Sequence, residues 1–243
     1  MESTLTVLLY AGLAAGTAAL GVVPLSSGRP VSLRMIGWAN ALASGLMLGV
    51  AYALMATGLS GAGLEAGAGA VMGVLFVRLT HAAVGTAELE LNRLDESKPE
   101  YGYQVILVNT LHAAHEGVAI GAAMAVSLPF GILMALALAV HNIPEATILC
   151  SVVRRRGVRL RAAAMLAVAT NASQVLLAVV TFAVVLAAPV ILPWVVGFAV
   201  GALIYLVMVE LLPESYREAG HTSIAVVTVV AMGMVVLLNG RPG

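Results

Sequence analysis

Long apolar runs recur along the whole chain, separated by short stretches rich in glycine, proline or charge. A helix needs about 20 mainly apolar residues to cross the roughly 30 Å hydrocarbon layer of a bilayer. Eight runs have this length, which predicts an all-α polytopic membrane protein: a bundle of eight transmembrane helices forming one domain over residues 1–243. The predicted spans are Thr4–Val23, Met35–Gly58, Ala68–Thr86, Tyr103–Leu128, Phe130–Val153, Ala162–Ala188, Val190–Leu212 and Ser223–Asn239.

The connections between the spans are short, with one exception. Spans four and five are separated by little more than Leu128 and Pro129, so we expect them to be antiparallel neighbours. Residues 88–100 form the one long polar connection, a mixed-charge segment that we expect to be a solvated loop. Alanine and glycine are frequent inside the spans, and such small residues let membrane helices pack closely.

Composition agrees with the hydropathy pattern and excludes several classes of protein. The chain is 61% hydrophobic and 10% charged, whereas soluble domains carry about 25% charged residues. The formal net charge is zero, which gives no basic surface for nucleic acid. Cys150 is the single cysteine, so neither a disulfide framework nor a cysteine-based zinc site is available.

Basic residues are unevenly distributed between the two sides of the predicted bundle. By the positive-inside rule the side richer in lysine and arginine is cytoplasmic. The odd-numbered loops hold ten of the twelve basic residues, so we expect both termini outside and a multi-pass protein of the cell (inner or plasma) membrane. These ten are Arg29, Arg34, Arg93, Lys98, Arg154, Arg155, Arg156, Arg159, Arg161 and Arg217; Arg78 lies inside span three and Arg241 on the other side.

Spans four and five carry ionisable residues near mid-membrane, where such groups are costly to insert and usually functional. Span four contains Asn109, His112, His115 and Glu116, and span five contains His141, Asn142 and Glu145. His112 and Glu116 are four residues apart and share a helix face, as do His141 and Glu145. Imidazole and carboxylate ligands suit zinc and other first-row divalent ions, so these two faces predict a metal site.

Two prolines free backbone carbonyls within the membrane. Pro144 removes the helical partner of the Val140 carbonyl beside His141, and Pro213 does the same at the end of span seven. Glu210 and Glu214 flank Pro213 and share a face, and His221 follows across the next loop. These residues extend the series of ionisable side chains from mid-membrane on spans four and five towards the predicted cytoplasmic end of span seven.

Other polar residues have simpler interpretations. His115 lies about 60° around the helix from His112, so it either ligates the ion or points at a neighbouring helix. For His81, Asn40 and Gln174 we expect helix–helix hydrogen bonds.

Taken together, the eight spans, the paired motifs of spans four and five, and the glutamate–proline–glutamate ending of span seven resemble the ZIP (Zrt/Irt-like) divalent metal transporters, and most closely their prokaryotic GufA-like branch. The most specific segment is HNIPEA at residues 141–146. The resemblance implies a main transport site of His112, Glu116 and Glu145 with His141 and Asn142 beside it. Glu210, Glu214 and His221 would form the cytoplasmic exit route.

The chain departs from the family motif at three positions: Ala113 replaces an asparagine, His115 a proline and Ala146 a glycine. Span six carries no acidic residue, whereas some members use a glutamate there to hold a second ion. We therefore expect one metal site.

The predicted function is transport of a divalent cation, and the resemblance implies that the ion moves into the cytoplasm. The histidine nitrogens of the predicted metal site favour zinc as the transported ion, with iron, manganese, cobalt and cadmium as alternatives. The ion is the transported substrate, and neither a separate cofactor nor catalytic residues are expected. The predicted partners are the ion and the lipid bilayer, and the oligomeric state stays open between a monomer and a homodimer.

The alternative function is an intramembrane zinc-dependent hydrolase or protease. The HAAHE segment at residues 112–116 invites that comparison, but it matches neither the zincin motif nor its inverted form. A trail of acidic and histidine residues from mid-membrane to one face is required for transport and not for hydrolysis. Glu210, Glu214 and His221 form such a trail, so transport is the preferred prediction.

Overall fold

The computed structural model describes residues 2–26, 32–58, 62–84 and 100–240, and every regular element within these ranges is helical. The α-helices are α1 (Glu2–Thr17), α2 (Leu33–Gly58), α3 (Gly63–Val84), α4 (Glu100–Val126), α5 (Leu128–Arg155), α6 (Leu160–Thr170), α7 (Ala172–Ala187), α8 (Leu192–Leu206), α9 (Leu212–Ala219) and α10 (His221–Asn239). Two 3-10 segments, Ala18–Leu25 and Pro189–Ile191, and one π-helical segment, Val207–Leu211, extend or join them.

The predicted all-α membrane fold is confirmed. Over the described residues, seven helical runs are long and apolar enough to cross a membrane. The eighth predicted span, α4, has 27 residues, or about 40 Å at 1.5 Å per residue. Its average hydropathy is lower because it carries His112, His115, Glu116 and Asn109, which face the inside of the bundle rather than lipid.

The helices pack as two groups. One group contains α1, α4, α5, α6 and α7, and the other contains α2, α3, α8, α9 and α10. Contacts of α2 with α5 and of α4 with α8 join the two groups. The ionisable residues of α4 and α5 therefore lie where one group meets the other.

Spans four and five are adjacent, as predicted, but the boundary between them falls earlier than predicted. Leu128 belongs to α5 rather than to the end of span four, and only Ser127 separates the helices. Ser127 is extended, and its side chain accepts a hydrogen bond from the Phe130 N–H at 3.3 Å. A serine cap with proline in the first turn is a common helix start, so this boundary was encoded locally.

Spans six and seven also differ from their predicted outlines. Span six is interrupted at Asn171, whose side-chain amide donates to the Ala167 carbonyl at 2.9 Å. Span seven does not end at Leu212: the helical run from Pro189 continues to Ala219. Pro213 lies in the first turn of α9, where a missing N–H is tolerated because the preceding π-turn re-registers the backbone.

Several sequence predictions concern residues outside the described ranges. They are the polar connection at residues 88–99 with Arg93 and Lys98, the loop residue Arg29, the predicted span end Thr86, and Met1, Arg241 and Gly243.

Candidate metal site

Glu116, His141 and Glu145 form a buried triad between α4 and α5. His141 Nε2 lies 2.8 Å from Glu116 Oε1 and 3.5 Å from Glu145 Oε2. Glu116 and His141 are almost completely buried, and the Glu145 side chain is 14% exposed. One ligand atom from each residue lies within 4.8 Å of the others, which is compatible with a shared divalent ion.

A second triad continues from the first. Glu210 Oε1 lies 3.3 Å from His81 Nε2, and Glu210 Oε2 lies 3.2 Å from His112 Nε2. The other ring nitrogen of His112 lies 3.3 Å from Glu145 Oε1, so His112 links the two triads. We call the connected set Glu116, His141, Glu145, His112, Glu210 and His81 the His–Glu row.

The His–Glu row joins the two helix groups. Its members on α4 and α5 belong to one group, while His81 on α3 and Glu210 beside α8 belong to the other. Glu210 lies in the π-helical segment that precedes Pro213. A π-turn holds one residue more than an α-turn and changes where the following side chains point, and such turns are frequent at functional sites.

The row has the chemistry of a cation site. Each histidine nitrogen beside a carboxylate must share either a proton or a cation with it, because carboxylate oxygens only accept hydrogen bonds. Both Glu145 oxygens contact histidines but make no aligned hydrogen bond among the described residues. Three carboxylates in a membrane interior require compensating positive charge, which a divalent ion supplies.

Two buried amides support the carboxylate of Glu116 from behind. Gln174 Nε2 donates to Glu116 Oε2 at 3.0 Å, and Asn142 Nδ2 donates to Gln174 Oε1 at 3.1 Å. Asn142 Nδ2 also donates to the Ala14 carbonyl at 2.8 Å, which ties the network to α1. All three side chains of this network are fully buried.

Gly117 allows Gln174 to reach Glu116. A Cβ atom at Gly117 would overlap the backbone of Gln174, so α4 and α7 touch at this level. The glycine therefore sets the close approach of the two helices next to the triad.

The structure brings together most of the residues that the sequence predicted for the metal site. Glu116, His141 and Glu145 share one triad, and His112 and Glu210 share the other. Asn142 lies beside the first triad, with its amide nitrogen directed to Gln174 and Ala14 rather than to the triad. Glu214, one turn after Glu210, is 5% exposed and lines a cavity next to the row.

Two predicted residues lie apart from both triads. His115 is buried against the ring of Phe76, with centroids 5.5 Å apart and perpendicular planes. Of its two interpretations, the structure therefore shows the one in which it points at a neighbouring helix. His221 is exposed at the start of α10 and lies against Tyr216, with ring centroids 5.3 Å apart.

Sequence reasoning underestimated His81 and Gln174, and Asn40 differs from its prediction in the other direction. His81 was expected to make a plain helix–helix hydrogen bond, but it is a member of the second triad. Gln174 does bond across helices, as predicted, and its partner is the Glu116 carboxylate. Asn40 was assigned an interhelical hydrogen bond, but its Nδ2 has no partner among the described residues. Spacing along one helix carries no signal for contacts of this kind.

A polytopic helical bundle with a buried histidine and carboxylate row at the junction of two helix groups defines a class of membrane protein whose interior offers ligands for a divalent cation. A family model described as ZIP zinc transporter matches residues 82–239. The chain belongs to the ZIP zinc transporter family, which confirms the resemblance inferred from the motifs.

Two relatives agree with this membership. A protein of Arabidopsis thaliana that is named as a zinc transporter is 31% identical over 98% of this chain, and the chain spans 39% of that protein's length. The zinc transporter GufA of Myxococcus xanthus is 28% identical over 89% of this chain and 90% of its own length.

Proposed function

We propose that this chain transports divalent cations, zinc foremost, across a membrane through the His–Glu row. The observation that carries the proposal is the continuity of the row. Alternating carboxylates and imidazoles run from Glu116 to His81, with neighbouring ligand atoms 2.8–3.5 Å apart. An ion held in one triad can be passed to the next through His112 without losing all of its protein ligands.

The ligand set supports zinc as the substrate. The row offers three imidazoles and three carboxylates, which are the nitrogen and oxygen ligands that zinc binds at four positions. The same donors accept iron, manganese, cobalt and cadmium, and these remain alternative substrates. Both relatives are named for zinc.

We propose import into the cytoplasm, the direction that the family resemblance implies, with the odd-numbered loops on the cytoplasmic side. Arg154 and Arg155 lie in the last turn of α5, Arg156 follows as its C-cap, and Arg217 lies near the end of α9. Arg78 lies in the last two turns of α3 and adds to the same side. This asymmetry supports both termini outside and placement in the cell membrane. A homodimer stays a prediction that cross-linking in native membranes would test.

Hydrolysis is the second candidate function, and the geometry favours it less. Catalytic zinc requires one centre with an open position and a positioned base. The row extends through a second triad to His81, beyond what one such centre uses. The proposal therefore includes no catalytic role and no cofactor other than the transported ion.

The test is zinc uptake by proteoliposomes that contain the purified full chain. Glu116→Ala and Glu145→Ala should each remove most uptake, because either leaves a dication in a low-dielectric site with too little countercharge. Glu65→Gln is the matched control, since Glu65 lies 16 residues before His81 on the same helix, about 24 Å away. Uptake at the wild-type rate in both site variants would refute the proposal.

A further inference from the structure

A cavity adjoins the His–Glu row on one side and contains polar groups that the row does not use. It is bounded by α2, α4, α5, the π-helical segment and α9, and we call it the Asn109 cavity. It offers about 50 Å³ to water-sized molecules, room for about three waters at roughly 15 Å³ each.

Buried amides in the cavity wall lack partners. Asn109 is 3% exposed, and neither its Oδ1 nor its Nδ2 has a hydrogen-bond partner among the described residues. Asn40, on the facing helix α2, is 2% exposed, and its Nδ2 is likewise unpaired within the described part of the chain. Buried amides without partners are costly, so both side chains indicate that the cavity holds a polar occupant.

The charges of the wall select a cation. Glu145, Glu210 and Glu214 border the cavity, and no lysine or arginine is among the residues that line it. Away from the row itself, the available ligands are carboxylate and amide oxygens together with water. Oxygen ligands of this kind suit a divalent ion that keeps part of its hydration shell.

The cavity lies on the side of the row that faces the Arg154–Arg161 loop. Asn109 precedes His112 by one turn on α4, and Ile148 follows Glu145 by one turn on α5. Glu214 follows Glu210 by one turn towards the end of α9. The start of α4 and the end of α5 meet at Gly102 and Arg156, so the steps on these two helices run in one direction, and Glu214 lines the same cavity.

We propose that the Asn109 cavity is a second binding site, which holds a partly hydrated divalent cation between Asn109, Asn40 and Glu214. Asn109 Oδ1 and the Glu214 carboxylate accept hydrogen bonds from the ion's water shell, and the amide nitrogens donate to further waters. In a transport cycle, which rests on the function proposed above, the ion exchanges histidine ligands for water here before it leaves.

The experiment titrates the purified full chain in lipid nanodiscs with Mn²⁺ and counts bound ions by electron paramagnetic resonance. The wild-type chain should bind two ions: a tighter one with nitrogen couplings from histidine, and a weaker one with oxygen and water-proton couplings only. Asn109→Leu, which keeps the number and branching of the side-chain heavy atoms and removes the polar ones, should remove the weaker ion and keep the tighter one. Asn239→Leu, at the far end of α10, is the matched control and should keep both.

Asn109→Asp gives the opposite prediction, and it distinguishes a specific effect on the second site from misfolding of the variant. Its added charge should tighten the weaker ion by about tenfold, a gain that loss of structure would not produce. One bound ion in the wild-type chain, a weaker ion retained in Asn109→Leu, or unchanged affinity in Asn109→Asp would overturn the second site.

Zinc flux through the same preparations separates this proposal from the transport function. Two-ion binding without flux would refute transport and support the second site. Flux with a single bound ion would support transport and refute the second site.

Discussion

At the scale of single residues, Glu116 shows how the site is prepared for an ion. The carboxylate is fully buried, with His141 Nε2 at 2.8 Å from one oxygen and Gln174 Nε2 at 3.0 Å from the other. A ligand held in place before the ion arrives loses little conformational freedom on binding. The two contacts hold the Glu116 carboxylate in one position, which is what a ligand of the proposed site requires.

Gln174→Leu should weaken zinc uptake by roughly ten- to a hundredfold, mainly through a higher half-saturating concentration. The substitution removes a hydrogen bond to a buried carboxylate, a loss of roughly 1.5–3 kcal/mol. Uptake kinetics in proteoliposomes measure the effect. Ser173→Ala is the control, because Ser173 bonds to the Thr110 carbonyl instead of the triad. Equal kinetics in the two variants would show that Gln174 does not support Glu116.

Glu210→Gln should slow zinc flux while the triad of Glu116, His141 and Glu145 still binds one ion. The reason is that Glu210 forms its ion pairs with His81 and His112 of the second triad. It forms no ion pair with a member of the first triad among the described residues. Single-turnover efflux and bound-zinc analysis measure the two effects separately. Glu218→Gln, on the same helical run, should change neither. Loss of stoichiometric zinc from Glu210→Gln would instead place Glu210 in the primary site.

At the scale of helices, small residues decide which spans touch. Cβ atoms at Gly69 and Gly73 of α3 would overlap the backbone of α8, and those at Gly197 and Gly201 of α8 would overlap α3. Gly117 makes the equivalent contact between α4 and α7. Lipid tails are as apolar as the helices, so close van der Waals contact is what holds such helices together.

Gly117→Ala should destabilise the bundle by about 1–3 kcal/mol, because the new methyl group overlaps the Gln174 backbone. It should also displace the amide that supports Glu116 and so lower zinc uptake. Heating the detergent-solubilised chain and following its monodisperse fraction by gel filtration measures the first effect. Gly12→Ala is the control, since its Cβ would meet open space, and it should be neutral or stabilising. Equal stability of both variants would contradict the close approach.

The helices themselves were largely predictable, and their junctions less so. Lipid-spanning length and apolar composition depend on one segment at a time, so all eight spans could be located. The junction of spans four and five was predicted two residues late because the Ser127 cap was not recognised. The break at Asn171 was missed because the mostly polar residues 170–174 lie inside a run that is long enough to be one span. The continuation of span seven to Ala219 was missed because Pro213 looks like a helix end unless the π-turn before it is known.

At the scale of the whole molecule, the His–Glu row depends on both helix groups being present. His81 and Glu210 come from one group, and His112, Glu145, His141 and Glu116 come from the other. A change in the relative position of the groups would separate Glu210 from His112, which is the contact that joins them. The contact between His112 and Glu210 therefore depends on how the two helix groups pack against each other.

The orientation of the molecule gives the last prediction. In a Cys150→Ala background, a cysteine at Arg156 should resist an impermeant thiol reagent in intact cells, because the basic α5–α6 loop is predicted to be cytoplasmic. A cysteine at Val190, 80% exposed on the opposite side, should react. Permeabilised cells should label both. Labelling of Arg156→Cys from outside would reverse the predicted topology.

The amino-acid sequence alone determined the class of this protein. Apolar run length, the residues that interrupt it and the i,i+4 pairs on spans four and five are local properties, and they predict a membrane bundle with a candidate metal site without any knowledge of helix packing. Tertiary structure decided the composition of that site. His81 lies 31 residues before His112, and Gln174 lies 58 residues after Glu116, so packing of separate helices alone brings them into contact. His115 turned to Phe76 and His221 to Tyr216 for the same reason: a helix dictates which face a side chain occupies, and the neighbouring helices dictate what that face meets.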